Sequence, residues 1–251
     1  MDYLEKKNSH ERDSHITFDE GPHIYTIDGD SSFQSVTQYI HGHFPKFNQE
    51  LVLDKVMNSK NKTKKYGDMT REEIRKSWSD NGKKASADGT FLHECIECYY
   101  NKCPRKNDSI EYKYFLDFVS KYPELIPYRT EWMVYDKEAK LAGSIDMIYE
   151  NKDGTLSIYD WKRVKELKKT NGFDEWALTP EIDYLPHSNY WHYSLQLNMY
   201  KRILEKNYGK KIKELYLVCL HPNNKRFLRV KVKNLDNEID ILLNKRIKLK
   251  I

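Results

Sequence analysis

Two strand-like runs joined by a short turn constrain this chain more than any other feature. Leu141 to Glu150 and Thr155 to Lys162 are rich in β-branched and aromatic residues, and Asn151-Lys-Asp-Gly154 between them is a hairpin signal. Side chains alternate along a strand, so Asp160 and Lys162 share a face. Pairing the two strands can bring Asp146 onto that face as well. Two carboxylates and an ammonium then converge at one end of the hairpin. Burying like charges together is costly unless a cation lies between them. Clustered carboxylate oxygens suit Mg²⁺ or Mn²⁺, and a lysine beside such an ion can orient a water nucleophile or neutralise a phosphate. This is the outline of a phosphodiester-cleaving site. Asp-x-Lys on its own is equally what a solvated strand face carries, so its company matters.

Upstream, Ile16 to Phe18 and His23 to Ile27 flank Glu20-Gly-Pro22 as a small hairpin. Ser35 can cap a short helix to about Ile40, with Gln38 in the capping-box position, and Glu50 to Met57 is a second short helix. Asn58 to Lys65 is a polar basic loop, read as a solvated connector in preference to a phosphate grip. Thr70-Arg-Glu-Glu73 is a capping box, from which a helix runs to about Tyr100 with a break expected at Gly82. Small residues at Ala85, Ala87 and Gly89 would let another element or a ligand approach closely. Ile110 to Val119 is an amphipathic helix, and Tyr128 to Tyr135 is a strand after Pro123 and Pro127. Beyond the hairpin, a helix from Tyr190 to Lys206 stops at Gly209. Strands at Leu215 to Leu220 and Phe227 to Val232 and a helix from Asp236 follow. This order suits an α/β fold with one mixed central β-sheet flanked by helices on both faces.

Bulk properties narrow the classes. The 251 residues are enough for one large domain, and 39% hydrophobic with 32% charged residues describes a soluble globular chain. No apolar run approaches the roughly 18 residues of a membrane span. Met1-Asp-Tyr-Leu-Glu-Lys-Lys7 has no apolar signal region, so an intracellular location is expected, with no membrane partner. Four cysteines form no disulfide framework. The net charge of +5 permits nucleic-acid binding without demanding it.

His93 lies on the long helix, where an imidazole is usually core or surface but can complete a carboxylate metal site. Gln196 and Tyr200 are four apart on a helix and share a face, either roofing the core or reaching the substrate. Glu131, on the strand before the hairpin, is either a fourth acid or a partner for nearby lysines. Trp161, Trp176, Tyr184, His187, Tyr190, Trp191, His192 and Tyr193 crowd this region, with Arg163, Lys165, Lys168 and Lys169 among them. Rings mixed with basic residues suit a groove that stacks bases and follows a backbone, although large rings are commonly core.

The ordered set Gly89-x-x-x-His93, Gly143-x-x-Asp146, Asp160-x-Lys162 and Gln196-x-x-x-Tyr200 resembles the RecB-type, lambda-exonuclease-like branch of the PD-(D/E)XK nuclease superfamily. Locally it is most similar to mitochondrial genome maintenance exonucleases, with Gly-Thr-x-x-His, Gly-x-x-Asp and Asp-Trp-Lys strings. The motifs span residues 89 to 200. Ile145 stands where the superfamily name has Pro, as is common in this branch. The resemblance implies a restriction-endonuclease-like core in a single domain over 1–251, with an N-terminal extension at 1–69 and the nuclease core at 70–251. It implies that His93, Asp146, Asp160 and the Trp161 carbonyl bind one or two Mg²⁺ or Mn²⁺ ions. Lys162 would position and activate water, and Gln196 and Tyr200 would brace site and substrate. Some relatives hold an iron–sulfur cluster, but Cys95, Cys98, Cys103 and Cys219 do not match that spacing, so none is expected.

The function implied is a metal-dependent deoxyribonuclease, an exonuclease in repair, recombination or replication. Its substrate is DNA that is single-stranded or has free ends. Catalysis falls to Lys162, Asp146, Asp160 and Glu131, and nucleic-acid contacts to Gln196, Tyr200, Arg163, Lys165, Trp191 and Tyr193. No phosphate-loop or helicase motor motif accompanies the set, so a separate helicase or replication partner is the expected companion. The competing readings are a catalytically silent nucleic-acid-binding module and an RNA or DNA endonuclease on the same fold.

Overall fold

The computed structural model describes residues 2–59 and 65–248. The basic stretch Asn58 to Lys65 therefore lies largely outside the described residues. The chain divides into two compact units, residues 1–45 with 93–251, and residues 46–92. The division expected between residues 69 and 70 falls inside the smaller unit.

In the smaller unit, Asn48 caps helix α3 (Gln49–Met57) by accepting the Leu51 N–H at 3.1 Å. Thr70 and Glu73 form the expected capping box. Glu73 Oε2 accepts from the Thr70 N–H at 2.7 Å, and Thr70 Oγ1 accepts from the Glu73 N–H at 3.3 Å. Arg71 bridges Glu50 and Asp54, and Arg75 reaches Glu50 at 2.6 Å. These exposed pairs contribute little individually. Helix α4 (Arg71–Tyr100) begins here and carries on unbroken past Gly82. A lone helical glycine costs only about 1 kcal/mol relative to alanine, too little to end a capped helix of this length.

The larger unit is built on a six-stranded mixed sheet. It comprises β3 (Gln34–Ser35), β4 (Ile126–Asp136), β5 (Leu141–Glu150), β6 (Leu156–Lys162), β7 (Ile212–Cys219) and β8 (Leu228–Lys231). A separate hairpin of β1 (Ile16–Asp19) and β2 (Ile24–Ile27) and a short helix α1 (Tyr3–Lys7) precede it. The hairpins β4–β5 and β5–β6 are antiparallel, whereas β6–β7 and β3–β5 are parallel. The parallel β6–β7 pair needs a long crossover. Helix α6 (Asn189–Asn207) supplies it, ending as expected before Gly209, whose φ of 62° suits glycine.

Sequence alternation explains how β6 is covered. Leu156 and Ile158 join a core with α6 residues Leu195, Met199 and Ile203 and with Ile239 and Leu242 of α7 (Asp236–Lys248). Tyr159 and Trp161 alternate with them. Trp161 packs edge-on to Phe115 and Phe118 of α5 (Ile110–Lys121), with ring centroids 5.6 and 5.3 Å away. A mixed sheet flanked by helices results, in agreement with a restriction-endonuclease-like core. Ser35 caps α2 (Val36–His41) through the Gln38 N–H at 3.1 Å. Among the described residues no helix is long and apolar enough to cross a membrane.

Candidate active site

The site lies where two strands part. β5 and β6 stay in register from Glu150↔Leu156 to Met147↔Tyr159, and β6 then continues against β7 alone. At its other end β5 meets β3 at Leu141 and Ala142. Gly143 to Ile145 are thus paired only with β4 on their far side. The Trp161 N–H loses its β5 ladder partner here and donates instead to Asp146 Oδ2 at 2.9 Å. A backbone donor buried without a partner would be costly, so the carboxylate holds the opening in shape.

Three donor-bearing side chains meet in this opening. His93, Glu131 and Asp146 offer ligand atoms that all lie within 4.8 Å of one another. His93 Nδ1 is 3.6 Å from Glu131 Oε1 and 3.7 Å from Asp146 Oδ2, while Nε2 is 3.0 Å from the Trp161 carbonyl. Burial disfavours a charged His93, but Asp146 and Glu131 outweigh it and raise the imidazole to about 9. Burial likewise raises Asp146, against the pull of His93 and Lys162. Glu131 sits in β4 between the pairs Thr130↔Met147 and Trp132↔Ile145, with φ at 43°. A left-handed glutamate inside a strand costs about 1–3 kcal/mol. Ser144 Oγ donates to its Oε2 at 2.9 Å, fixing the carboxylate beside His93. Of the two readings for Glu131, the geometry brings it to the acids rather than to lysines.

Asp160 and Lys162 form the second half. Lys162 Nζ is 2.8 Å from Asp160 Oδ1 and 2.7 Å from Oδ2, with the Tyr193 ring centroid 4.7 Å away. Burial pushes Asp160 up to about 7. Burial opposes the Lys162 charge, but Asp160 and Asp146 prevail and raise it above its ordinary value. Asp160 is therefore paired with Lys162 and lies outside the three-residue group, beside it. The Trp161 carbonyl, expected among the metal ligands, faces His93 Nε2. Two carboxylates and an imidazole are a hard and borderline donor set suited to Mg²⁺ or Mn²⁺.

Tyr200 braces the opening. A Cβ at Gly143 would fall 2.6 Å from the Tyr200 hydroxyl oxygen, so glycine is required for the helix to seat. Gln196 Nε2 donates to the Tyr200 hydroxyl at 3.4 Å and to Thr37 Oγ1 at 3.2 Å. Tyr200 is buried, which makes it a support rather than a surface for nucleic acid. Arg163 is held by the buried Glu111 at 2.8 Å, and the half-buried Trp191 donates its indole N–H to the Lys169 carbonyl at 3.0 Å. Lys165 is exposed and Tyr193 half-buried. Of the aromatic crowd, Trp161 and Tyr190 are core, while Trp176 and Tyr184 are exposed. Cys95, Cys98 and Cys219 are buried and Cys103 is exposed, and none of the four is in a disulfide.

Some neighbours were not anticipated. Tyr25 of β2 lies beside the Ser144 backbone, and burial pushes it up to about 12. Glu97, one turn after His93, is pushed up to about 7 by burial and then by Glu131. Glu5, Glu97, Arg129 and Glu131 are among the residues around a cavity of about 70 Å³. The i, i+4 spacing of His93 and Glu97 was a usable signal; Tyr25, remote in sequence, carried none.

No family model matches the chain, and no curated protein matches it. Among solved structures it is similar to a protein from Eubacterium rectale provisionally named an exonuclease. The identity is 15% and the TM-score 0.41, over 86% of this chain and 78% of that one. A second similar structure, SSO0001, is 14% identical with a TM-score of 0.36, over 99% and 85% of the two chains.

Proposed function

We propose that this protein is a metal-dependent nuclease that hydrolyses phosphodiester bonds in DNA. It acts as an exonuclease on strands with free ends or single-stranded character, in repair, recombination or replication. The observation that carries this reading is the meeting of His93, Glu131 and Asp146 beside the buried Asp160–Lys162 pair. Glu131, Asp146 and Asp160 face one ammonium, Lys162, and with His93 neutral as a ligand the group carries negative charge that a divalent cation would neutralise.

His93, Glu131 and Asp146 would hold Mg²⁺ or Mn²⁺, with Asp160 adjoining. Bound there, the ion supplies a Lewis acid for the phosphate and lowers the pKa of water. Lys162, raised above its ordinary pKa, keeps its proton at neutral pH. Its role is therefore to orient the attacking water and offset phosphate charge, and not to act as a base. Tyr193 and Asp160 hold the ammonium in place. Tyr200 and Gln196 keep α6 seated on Gly143. A helicase or replication machine that exposes strand ends is the kind of partner this activity needs.

Digestion of end-labelled linear and covalently closed circular single-stranded DNA tests the reading, with Mg²⁺, Mn²⁺ or EDTA and beside Lys162→Ala. The expected result is shortening of the linear strand alone, abolished by EDTA and by the variant. Cutting of the circle would make the enzyme an endonuclease. Tight DNA binding without cleavage under either metal would overturn the enzyme reading in favour of a silent binding module.

A further inference from the structure

Tyr200, Gln196 and His192 are spaced by four along α6 and share one of its faces. On α2, Thr37 and His41 have the same spacing. The two helices meet rung by rung. Gln196 donates to Thr37, and one turn further out His192 meets His41 with ring centroids 5.0 Å apart and planes tilted by 51°. His192 then stacks on His187, centroids 5.0 Å apart and planes 16° from parallel. Phe44 packs against both rings, at 4.1 and 5.6 Å. The row thus starts at Tyr200 over Gly143 in the strand opening and ends in a column of imidazoles. Tyr193, next to His192, rests on the Lys162 ammonium.

The charge state says what such a column can do. Burial, then His41 and His187, push His192 down to about 3. Burial, then His187 and Lys162, lower His41. Glu175 faces His187 at 3.1 Å. At neutral pH His41 and His192 are uncharged rings, poor at gripping phosphate and suited to stacking. Core packing accounts for the inner rings, since His192 and His187 are half-buried between neighbours. It does not account for His41, which is exposed at the end of the column.

We propose that this imidazole column is a base-stacking subsite that holds one unpaired nucleobase against His41, beside the scissile phosphate. The inference rests on the nuclease reading above, and it assigns His41 a role in substrate affinity. Neutral aromatic rings next to a phosphate-binding centre are how single strands are held without sequence preference.

The test uses an end-labelled oligodeoxythymidylate and a series carrying one abasic residue at each successive position. Wild type, His41→Ala and His41→Phe are compared by KM and kcat, and by fluorescence anisotropy in EDTA. Loss of one stacking contact weakens binding about 10-fold. One abasic position should therefore raise the wild-type KM by that factor. His41→Ala should show the same loss on the intact strand and no further loss at that position, and His41→Phe should restore affinity. Independent, multiplying losses, or an intact-strand affinity unchanged by His41→Ala, would overturn the subsite. If wild type cleaves nothing, the nuclease reading falls, and the anisotropy series still decides whether His41 stacks on a base.

Discussion

Strands β5 and β6 carry two buried polar clusters a few residues apart, and they are built on opposite terms. Around Tyr149 and Tyr159 the groups are neutral hydroxyls and rings with a single guanidinium among them. The Tyr100 and Tyr149 hydroxyls meet at 2.5 Å, the Tyr149 and Tyr159 rings pack edge-on at 4.8 Å, and Arg229 donates to the Tyr159 hydroxyl. The Arg229 guanidinium also lies 3.7 Å over the Tyr216 ring. Around Asp146 and Asp160, carboxylates outnumber the cations, and a strained Glu131 is held among them. The first arrangement is what stability selects, and the second is what stability alone would remove. Under the proposed function, that excess charge is what a divalent cation would neutralise.

The largest expected effect tests the charged cluster. Asp146→Asn should lower cleavage about 10²–10³-fold, the scale of losing one positioned electrostatic group. The amide oxygen can still accept the Trp161 N–H, so thermal unfolding should stay level or move upward as one buried charge is lost. A drop in melting temperature together with retained cleavage would erase the contrast between the clusters.

Tyr149→Ala should do the reverse. Removing a fully buried ring costs about 3–5 kcal/mol of stability, measurable by urea unfolding, while cleavage per folded molecule should be unchanged. Gly143→Ala sharpens the border between the regions. Its new methyl would collide with Tyr200, costing about 1–3 kcal/mol. Trimming Tyr200 to Leu in the same chain should recover part of that stability, which a double-mutant unfolding cycle would read.

The smallest effect lies away from both clusters, at Asp136. Burial would raise this carboxyl, but the Ala139 N–H at 2.8 Å, Asn207 at 3.1 Å and Lys206 at 3.4 Å together lower it. A depressed carboxyl stabilises the fold above its unfolded pKa and loses that contribution as pH falls through the folded pKa. Asp136→Asn should cost about 1–2 kcal/mol near neutral pH. The difference from wild type should close under acid conditions, as urea unfolding across pH would show.

Much of this was legible in the residues. The β5–β6 hairpin, its Asn151–Gly154 turn, the Thr70 capping box and the Gly209 stop depend on local chemistry, and each stands where that chemistry puts it. The convergence of Asp146, Asp160 and Lys162 follows from strand alternation and antiparallel pairing. The division of labour within that group was not legible. Strand alternation puts Lys162 beside Asp160, but local sequence cannot say that Glu131 turns toward His93, because those two side chains lie far apart in the chain and meet only in the folded structure.

Sequence by itself determined the elements, their order and the acids at the hairpin end, because turn chemistry, capping and a period of two act between near neighbours. Tertiary structure alone decided three further things. It opened β5 from β6 beyond Tyr159, and it made Tyr200 a support for Gly143. It also brought together His41, His192 and His187 from a helix, a second helix and a loop, with His192 stacked on His187 and His41 tilted against it. Those outcomes arise from packing between segments far apart in the chain, where burial and close contact, which no local pattern encodes, set the geometry.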